Sequence, residues 1–269
     1  MPAADIVTDD MIARYQRDGV LLIKQALAPT WLDLMEVGVK RNMKNPGPYA
    51  ETFFEGQPGA FLHDFGNYDV NPEYKLLLQC SPIADIMKKL LRTEKLWLYY
   101  DQIFIKEGES RRTPWHQDTS YFIAEGSQIG SAWITLEAVS GDEALEFVLG
   151  SHLGPLYNAT VFTTDEDTAW YKNSNMLPVP DIDAHREDWN IACWPIERGD
   201  ILVLHPSILH GGAAMSAGGR RRAMSIRFFG DDVCYVERPG KPAPPYYGIS
   251  EALKPGDPLR HPYFPLIRG

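Results

Sequence analysis

The sequence predicts a mainly β fold, a sandwich or barrel, with α-helices flanking its N-terminal side. Three observations point there. Apolar residues recur at helical spacing over roughly the first 95 positions. At Leu96 the pattern changes to the aromatic and β-branched run Leu96 to Lys106. Beyond it, strand-like runs at about 131–139, 145–149, 191–196, 200–205 and 221–229 are separated by Gly, Asp and Pro rather than by helices, which disfavours a doubly wound sheet. The chain has 269 residues, and β-rich folds of roughly 200–250 residues commonly form a single unit, so one domain over 1–269 is expected.

Taken in order, Thr8 or Asp9 can cap a first helix that carries Met11, Ile12 and Tyr15 on one stripe, and Gly19 is its natural stop. The run Val20 to Ile23 follows as a strand. From Leu27 to about Arg41, Leu32, Met35 and Val39 fall at i, i+3 and i+7, a helical stripe that faces a core. Between 45 and 71 the periodicity gives way to Pro, Gly and the aromatics Phe53, Phe54, Phe61, Phe65 and Tyr68. A loop this long reads either as an active-site lid or as an irregular packed segment. Asn71-Pro72 ends it. Glu73 to about Arg92 is helical, with a second start at Ser81-Pro82 that places proline at the first helical position. After the long strand, Gly108 to Pro114 forms a loop. Positions 160–190 read as a polar insertion, and the Pro-rich tail from Pro239 is expected to wrap the surface.

Composition narrows the function classes. With 36 acidic and 26 basic residues the net charge is −10, which argues against a protein that grips nucleic-acid phosphates; the run Arg220-Arg221-Arg222 is too short to reverse that. Cys80, Cys193 and Cys234 lie in no CxxC spacing, so neither a zinc ribbon nor a disulfide framework is expected, and a reducing, cytoplasmic compartment fits. The opening MPAADIVTDDM lacks the basic and apolar regions of a signal peptide, and no run approaches a membrane span of about 18 apolar residues. The sequon Asn158-Ala159-Thr160 is read as a chance match.

Chemistry concentrates in a few places. In Trp115-His116-Gln117-Asp118, residues i and i+2 on an extended strand face the same side, so the imidazole of His116 and the carboxylate of Asp118 can reach one metal ion. An apolar strand delivers His210 to the glycine-bounded corner His210-Gly211-Gly212, where missing side chains would leave room for a ligand. His116, Asp118 and His210 would make a two-histidine, one-carboxylate facial triad, the geometry of non-haem Fe(II) oxygenases. Eleven residues after His210, Arg221 shares a strand face with Ala223, Ser225 and Arg227. A guanidinium there offers a two-pronged clamp for a carboxylate, whereas Arg220 and Arg222 read as a solvated edge.

These pieces, from Thr113-Pro114-Trp115-His116-Gln117-Asp118 through Tyr121-Phe122, Trp133, Gly150-Ser151-His152, Gly199-Asp200, His205-Pro206 and His210-Gly211-Gly212 to Arg221–Ser225, resemble the phytanoyl-CoA dioxygenase family of Fe(II)- and 2-oxoglutarate-dependent oxygenases. The resemblance covers about 98 to 230. It implies a double-stranded β-helix, a cupin-like jelly roll, with a helical part at about 1–95, the jelly-roll core at about 96–230 and a tail at 231–269. It also implies that His116, Asp118 and His210 ligate iron and that Arg221 pairs with the far carboxylate of 2-oxoglutarate. Gln102 and Trp133 fall where family members contact that cosubstrate, although a strand tryptophan also serves as core, and Ser225 would add a hydroxyl. His152 would be structural, and His205 is a weaker ligand candidate. The chain departs from the family at Asp142-Glu143 and Leu149, so that loop is expected to differ in shape. A carboxylate at Asp118 argues against halogenation, because related halogenases leave that position to chloride.

The implied activity consumes O2 and 2-oxoglutarate, releases succinate and CO2, and oxidises a small molecule, by default through hydroxylation; desaturation, epimerisation and cyclisation are also open. Tyr100 and Phe104, on the strand face of Gln102, are the expected substrate wall, together with aromatics of the 45–71 segment. Two other readings use the same residues. A non-catalytic jelly-roll sensor could bind metal or 2-oxoglutarate without turnover, and a zinc hydrolase could use the same three ligands while leaving Arg221 without a task. Arg111, Arg112 and Arg227 could attract a carboxylate or phosphate or simply be solvated. Nothing in the pattern marks an oligomeric state.

Overall fold

The computed structural model describes residues 6–55, 60–109, 111–162, 169–172, 174–212, 214–240, 242 and 244–269. The first five residues of the opening segment and parts of the expected loop, insertion and tail (56–59, 163–168, 173, 241 and 243) lie outside the described residues.

The first helix, α1 (Asp9–Asp18), starts on the Thr8 hydroxyl, which accepts from the backbone N–H of Met11, and stops at Gly19, whose φ of 77° closes the helix in the left-handed region. Strand β1 (Val20–Ile23) follows directly. Helix α2 (Pro29–Lys44) begins on a proline rather than at Leu27 and buries Leu32, Met35 and Val39, the stripe read from the sequence. Helix α3 (Pro72–Cys80) is capped by the Asn71 side chain, and α4 (Ile83–Leu90) has Pro82 at its N-cap, one position earlier than expected. The 45–71 segment is not all loop. It contains β2 (Glu51–Phe53) and β3 (Phe61–Phe65), and β3 pairs with the long strand β4 (Leu96–Glu107). The sequence hid this hairpin because its strands are short and its inward side chains are mostly aromatic rather than alternating with polar ones.

The remaining strands are β5 (Thr113–His116), β6 (Ala124–Glu125), β7 (Ile129–Thr135), β8 (Leu145–Val148), β9 (Ile191–Cys193), β10 (Ile201–Leu204), β11 (His210–Gly212), β12 (Arg220–Phe229), β13 (Cys234–Tyr235) and β14 (Leu266–Arg268). Among the described residues, one sheet has the order β1-β10-β7-β12-β4-β3-β2, with β14 added on β4, and a smaller sheet has the order β5-β11-β8-β9. All strand pairings within these two sheets are antiparallel. This is a jelly roll with flanking helices.

Period-two alternation divides the large sheet into two faces. The outer face, with Ile103, Ile105, Ala132, Ile134, Ile201, Val203, Met224, Ile226 and Phe228, packs against α1–α4 in one continuous apolar core. The inner face turns toward the small sheet, where Trp133, Leu202, Leu204 and Ala223 meet Phe147 of β8. The C-terminal tail does more than wrap the surface. Its Phe264 is buried against Tyr99 and Phe229, and β14 completes the sheet edge beside β4.

Candidate active site

Strand register fixes the floor of a cavity of about 500 Å³ between the sheets. On β4, Tyr100, Gln102, Phe104 and Lys106 point inward, and each is paired with an inward residue of β12: Arg227, Ser225, Ala223 and Arg221 respectively. Trp133 of β7 continues the row of Gln102 and Ser225. The expected cosubstrate contacts Gln102, Trp133 and Ser225 therefore lie side by side across three strands, and all three line the cavity. Tyr100 and Phe104 line it as well. Trp133 also packs in the apolar cluster between the sheets.

The small sheet forms the opposite wall. His116 ends β5, His210 opens β11, and the two are register partners. Asp118 opens a short 3-10 turn immediately after β5. The Oδ1 atom of Asp118 lies 3.4 Å from Nε2 of His116 and 3.9 Å from Nε2 of His210. One ligand atom from each of the three residues lies within 4.8 Å of the others, and all three residues are buried. Each imidazole has one nitrogen already committed: Nδ1 of His116 donates to the Pro114 carbonyl at 2.8 Å, and Nδ1 of His210 to the Ile208 carbonyl at 3.0 Å. Because a carbonyl can only accept, both Nε2 atoms are left with a free lone pair. Burial, and then His116 alongside, pulls the imidazole of His210 down to about 4, so it is neutral near pH 7. Burial by itself would raise the carboxyl of Asp118, but the Arg227 guanidinium bonded to it outweighs this and holds the group far below the usual carboxylate range. Two neutral nitrogens and one ionised oxygen are the donor set that Fe(II) takes in a facial triad.

At the far end of the floor, Arg221 is 7% exposed. Its Nη2 donates to the backbone carbonyl of Glu143 at 2.5 Å, and among the described residues no carboxylate lies within ion-pair distance of it. A buried guanidinium on a cavity wall with no counter-ion among the described residues fits the carboxylate of a bound dianion. The Asp142-Glu143 departure thus bears on the clamp through a main-chain atom, while the Glu143 carboxylate is taken by Ser216.

Other expectations change. Arg222 is not a solvated edge; it is buried and paired with Glu137 and Glu36 on the helix side of the sheet. Arg112 is committed to Glu146 and Asp183. The glycine corner does border the cavity through Gly211, and a Cβ there would stand 3.0 Å from the Thr113 carbonyl oxygen of the neighbouring strand. His205 stays outside the triad: its Nδ1 accepts from the backbone of Ser207, and burial, with His152 nearby, pulls it down to about 3. His152 packs against Gly19, where an added Cβ would meet its ring at 2.4 Å, so its role is structural. Asn158 of the sequon is buried, with its side-chain amide bonded to Tyr171 and Ser174.

Sequence reasoning left Arg227 undecided and missed Lys106. Arg227 contacts Asp118, and Lys106 is buried beside Arg221 with its ammonium 4.9 Å from the Phe61 ring centroid. Lys106 follows the inward alternation of Gln102 and Phe104 on β4 and could have been found by extending it.

A jelly roll with this donor set on one wall and, on the other, a buried arginine without an ion-pair partner among the described residues defines a class, the Fe(II)- and 2-oxoglutarate-dependent oxygenases. Within it, the family profile of phytanoyl-CoA dioxygenase (PhyH) matches residues 15–223, and the chain belongs to that family. A "Probable phytanoyl-CoA dioxygenase" of Caenorhabditis elegans is 26% identical over 251 residues, covering 84% of this chain and 77% of the relative. The human peroxisomal phytanoyl-CoA dioxygenase is 27% identical over 136 residues, which is 49% of this chain and 38% of that protein. Among solved structures, the non-haem α-ketoglutarate-dependent carbocyclase SnoK from nogalamycin biosynthesis superposes with a TM-score of 0.75 at 22% identity, over 99% of this chain and 98% of that one. EctD from S. alaskensis, with 2-oxoglutarate and 5-hydroxyectoine, gives 0.66 at 14% identity, over 94% and 86%. At these identities the structural likeness concerns the fold. No helix among the described residues is long and apolar enough to cross a membrane.

Proposed function

We propose that the protein hydroxylates a small-molecule substrate while 2-oxoglutarate is converted with O2 to succinate and CO2. The observation that carries this reading is the placement of His116, Asp118 and His210 across one cavity from Arg221. In this reading the Nε2 atoms of His116 and His210 and the Oδ1 atom of Asp118 hold Fe(II), which supplies the activation of O2. Arg221 anchors the far carboxylate of 2-oxoglutarate, and Gln102, Ser225 and Trp133 set the cosubstrate's place on the floor. Tyr100 and Phe104, with Phe65 and Phe53 of the β2–β3 hairpin, form an apolar substrate wall that excludes water from the reacting atoms. The hairpin lies where the sequence left a lid open as a reading. A reducing, cytoplasmic setting agrees with the three free cysteines.

The test is an anaerobic titration of the metal-free protein with Fe(II) and 2-oxoglutarate, following the visible charge-transfer absorption, with His116→Ala as control. A band that appears only with both ligands and disappears in the variant is the expected result. No band from folded, metal-loaded wild-type protein would sink the reading and bring the sensor and zinc-hydrolase alternatives forward.

A further inference from the structure

Arg227 is 4% exposed and lies on the same inward row of β12 as Arg221. Its Nε and Nη2 donate to a single atom, Oδ2 of Asp118, at 3.2 and 3.0 Å. A carboxylate oxygen has two lone-pair directions, and both at Oδ2 are thereby used. Only Oδ1 faces the two imidazole nitrogens. The guanidinium cannot easily turn away, because it stacks over the Tyr100 ring at 4.4 Å and stands 5.9 Å from the Phe122 centroid, in a strand paired on both sides.

We propose that Arg227 is a positioning residue that restricts Asp118 to one ligand oxygen and so keeps the metal's remaining positions for the cosubstrate. The inference rests on the Fe(II)/2-oxoglutarate reading above. Two arguments support it in the same direction. With Oδ2 occupied, the carboxylate cannot close over the metal with both oxygens. The charge count agrees, since Asp118 and Arg227 cancel, the imidazoles are neutral, and a divalent ion leaves the centre at +2, matched to a dianionic cosubstrate. Without Arg227 the loaded centre would carry +1 and would attract that dianion less.

The experiment measures three quantities in wild type, Arg227→Gln and Arg227→Lys. These are the Mn(II) dissociation constant, the 2-oxoglutarate dissociation constant from the Fe(II) charge-transfer band, and the number of oxygen donors by X-ray absorption on the Fe(II) protein without cosubstrate. In Arg227→Gln the expected result is metal binding within about 3-fold of wild type or tighter, a carboxylate contributing two oxygens, and a 2-oxoglutarate constant raised about 10-fold or more. Arg227→Lys, which keeps the charge but offers a single point donor, should fall between the two. If Arg227→Gln does not fold, Arg227→Lys decides on the same ratio of constants. Equal weakening of metal and cosubstrate, or no change in either, overturns the proposal, because a merely structural role would not separate them. Failure of the parent reading is distinct: it would appear as a missing band in the wild-type protein.

Discussion

The two faces of β12 divide the labour of the molecule. Facing the small sheet are Arg221, Ala223, Ser225 and Arg227; facing the helices are Arg222, Met224, Ile226 and Phe228. The inner row is charged and polar although buried, a costly arrangement unless bound groups complete it. The outer row, apart from the ion-paired Arg222, is ordinary apolar core. Under the proposed function one strand carries chemistry on one side and stability on the other, and substitutions on the two sides should have separable effects. The sharpest separation comes from the wall opposite the inner row. His210→Ala should abolish Fe(II) binding and with it O2-dependent succinate formation, while the metal-free protein keeps its circular dichroism spectrum. An unfolded variant would show that the small-sheet wall is itself needed for the fold.

The outer face should show the reverse. Ile226 is fully buried among helices and sheet, and Ile226→Ala should cost about 2–5 kcal/mol through lost burial and a residual cavity. At roughly 2–4 °C per kcal/mol for a chain of this size, calorimetry should record a fall in Tm of about 4–20 °C. The 2-oxoglutarate constant measured well below that Tm should stay within about 2-fold of wild type, since the inward neighbours Ser225 and Arg227 keep their backbone register. A large loss of cosubstrate binding in the still-folded variant would break the division of labour.

This contrast also explains what could be read in the sequence. Alternation in Arg221–Phe228 is regular, so that strand and the shared face of Arg221, Ser225 and Arg227 were legible, whereas the face change between Leu98 and Tyr100 on β4 was not; the spacing of His116 and Asp118 survives because β5 runs extended into the turn. The β2–β3 hairpin was not legible: its inward positions are aromatic and its pairing with β4 is a tertiary contact that no local period records. Arg222 was misread because its partners, Glu36 and Glu137, are distant in sequence. Arg227 was left undecided between ligand capture and solvent for a related reason. Its partner Asp118 is 109 residues away, and only the closure of the two sheets brings them together.

On the cavity floor, Arg221 of β12 and its register partner Lys106 of β4 form a further contrast between a permanent and a titratable cation. Arg221→Ala should raise the KM for 2-oxoglutarate at least about 30-fold with a smaller change in kcat, the outcome of removing one partner of a buried charged contact. Equal KM values would remove Arg221 from the cosubstrate site. Lys106 should contribute less. Burial, and then the neighbouring guanidinium of Arg221, lowers its ammonium to about 8. The other groups around it are the Phe61 ring on β3 and, further along the hairpin, His63 paired with Glu51. Below about pH 8 the site therefore presents two cations to the dianion, and above it one. The sign follows directly: kcat/KM for 2-oxoglutarate should fall, by about 3- to 10-fold, as pH rises through 8. Lys106→Met should lie at the lower level already at pH 7 and lack that limb, so that the two profiles converge near pH 9.5. A wild-type profile that stays flat from pH 7 to 9.5 would leave Arg221 as the sole anchor and make the buried lysine part of the substrate wall instead.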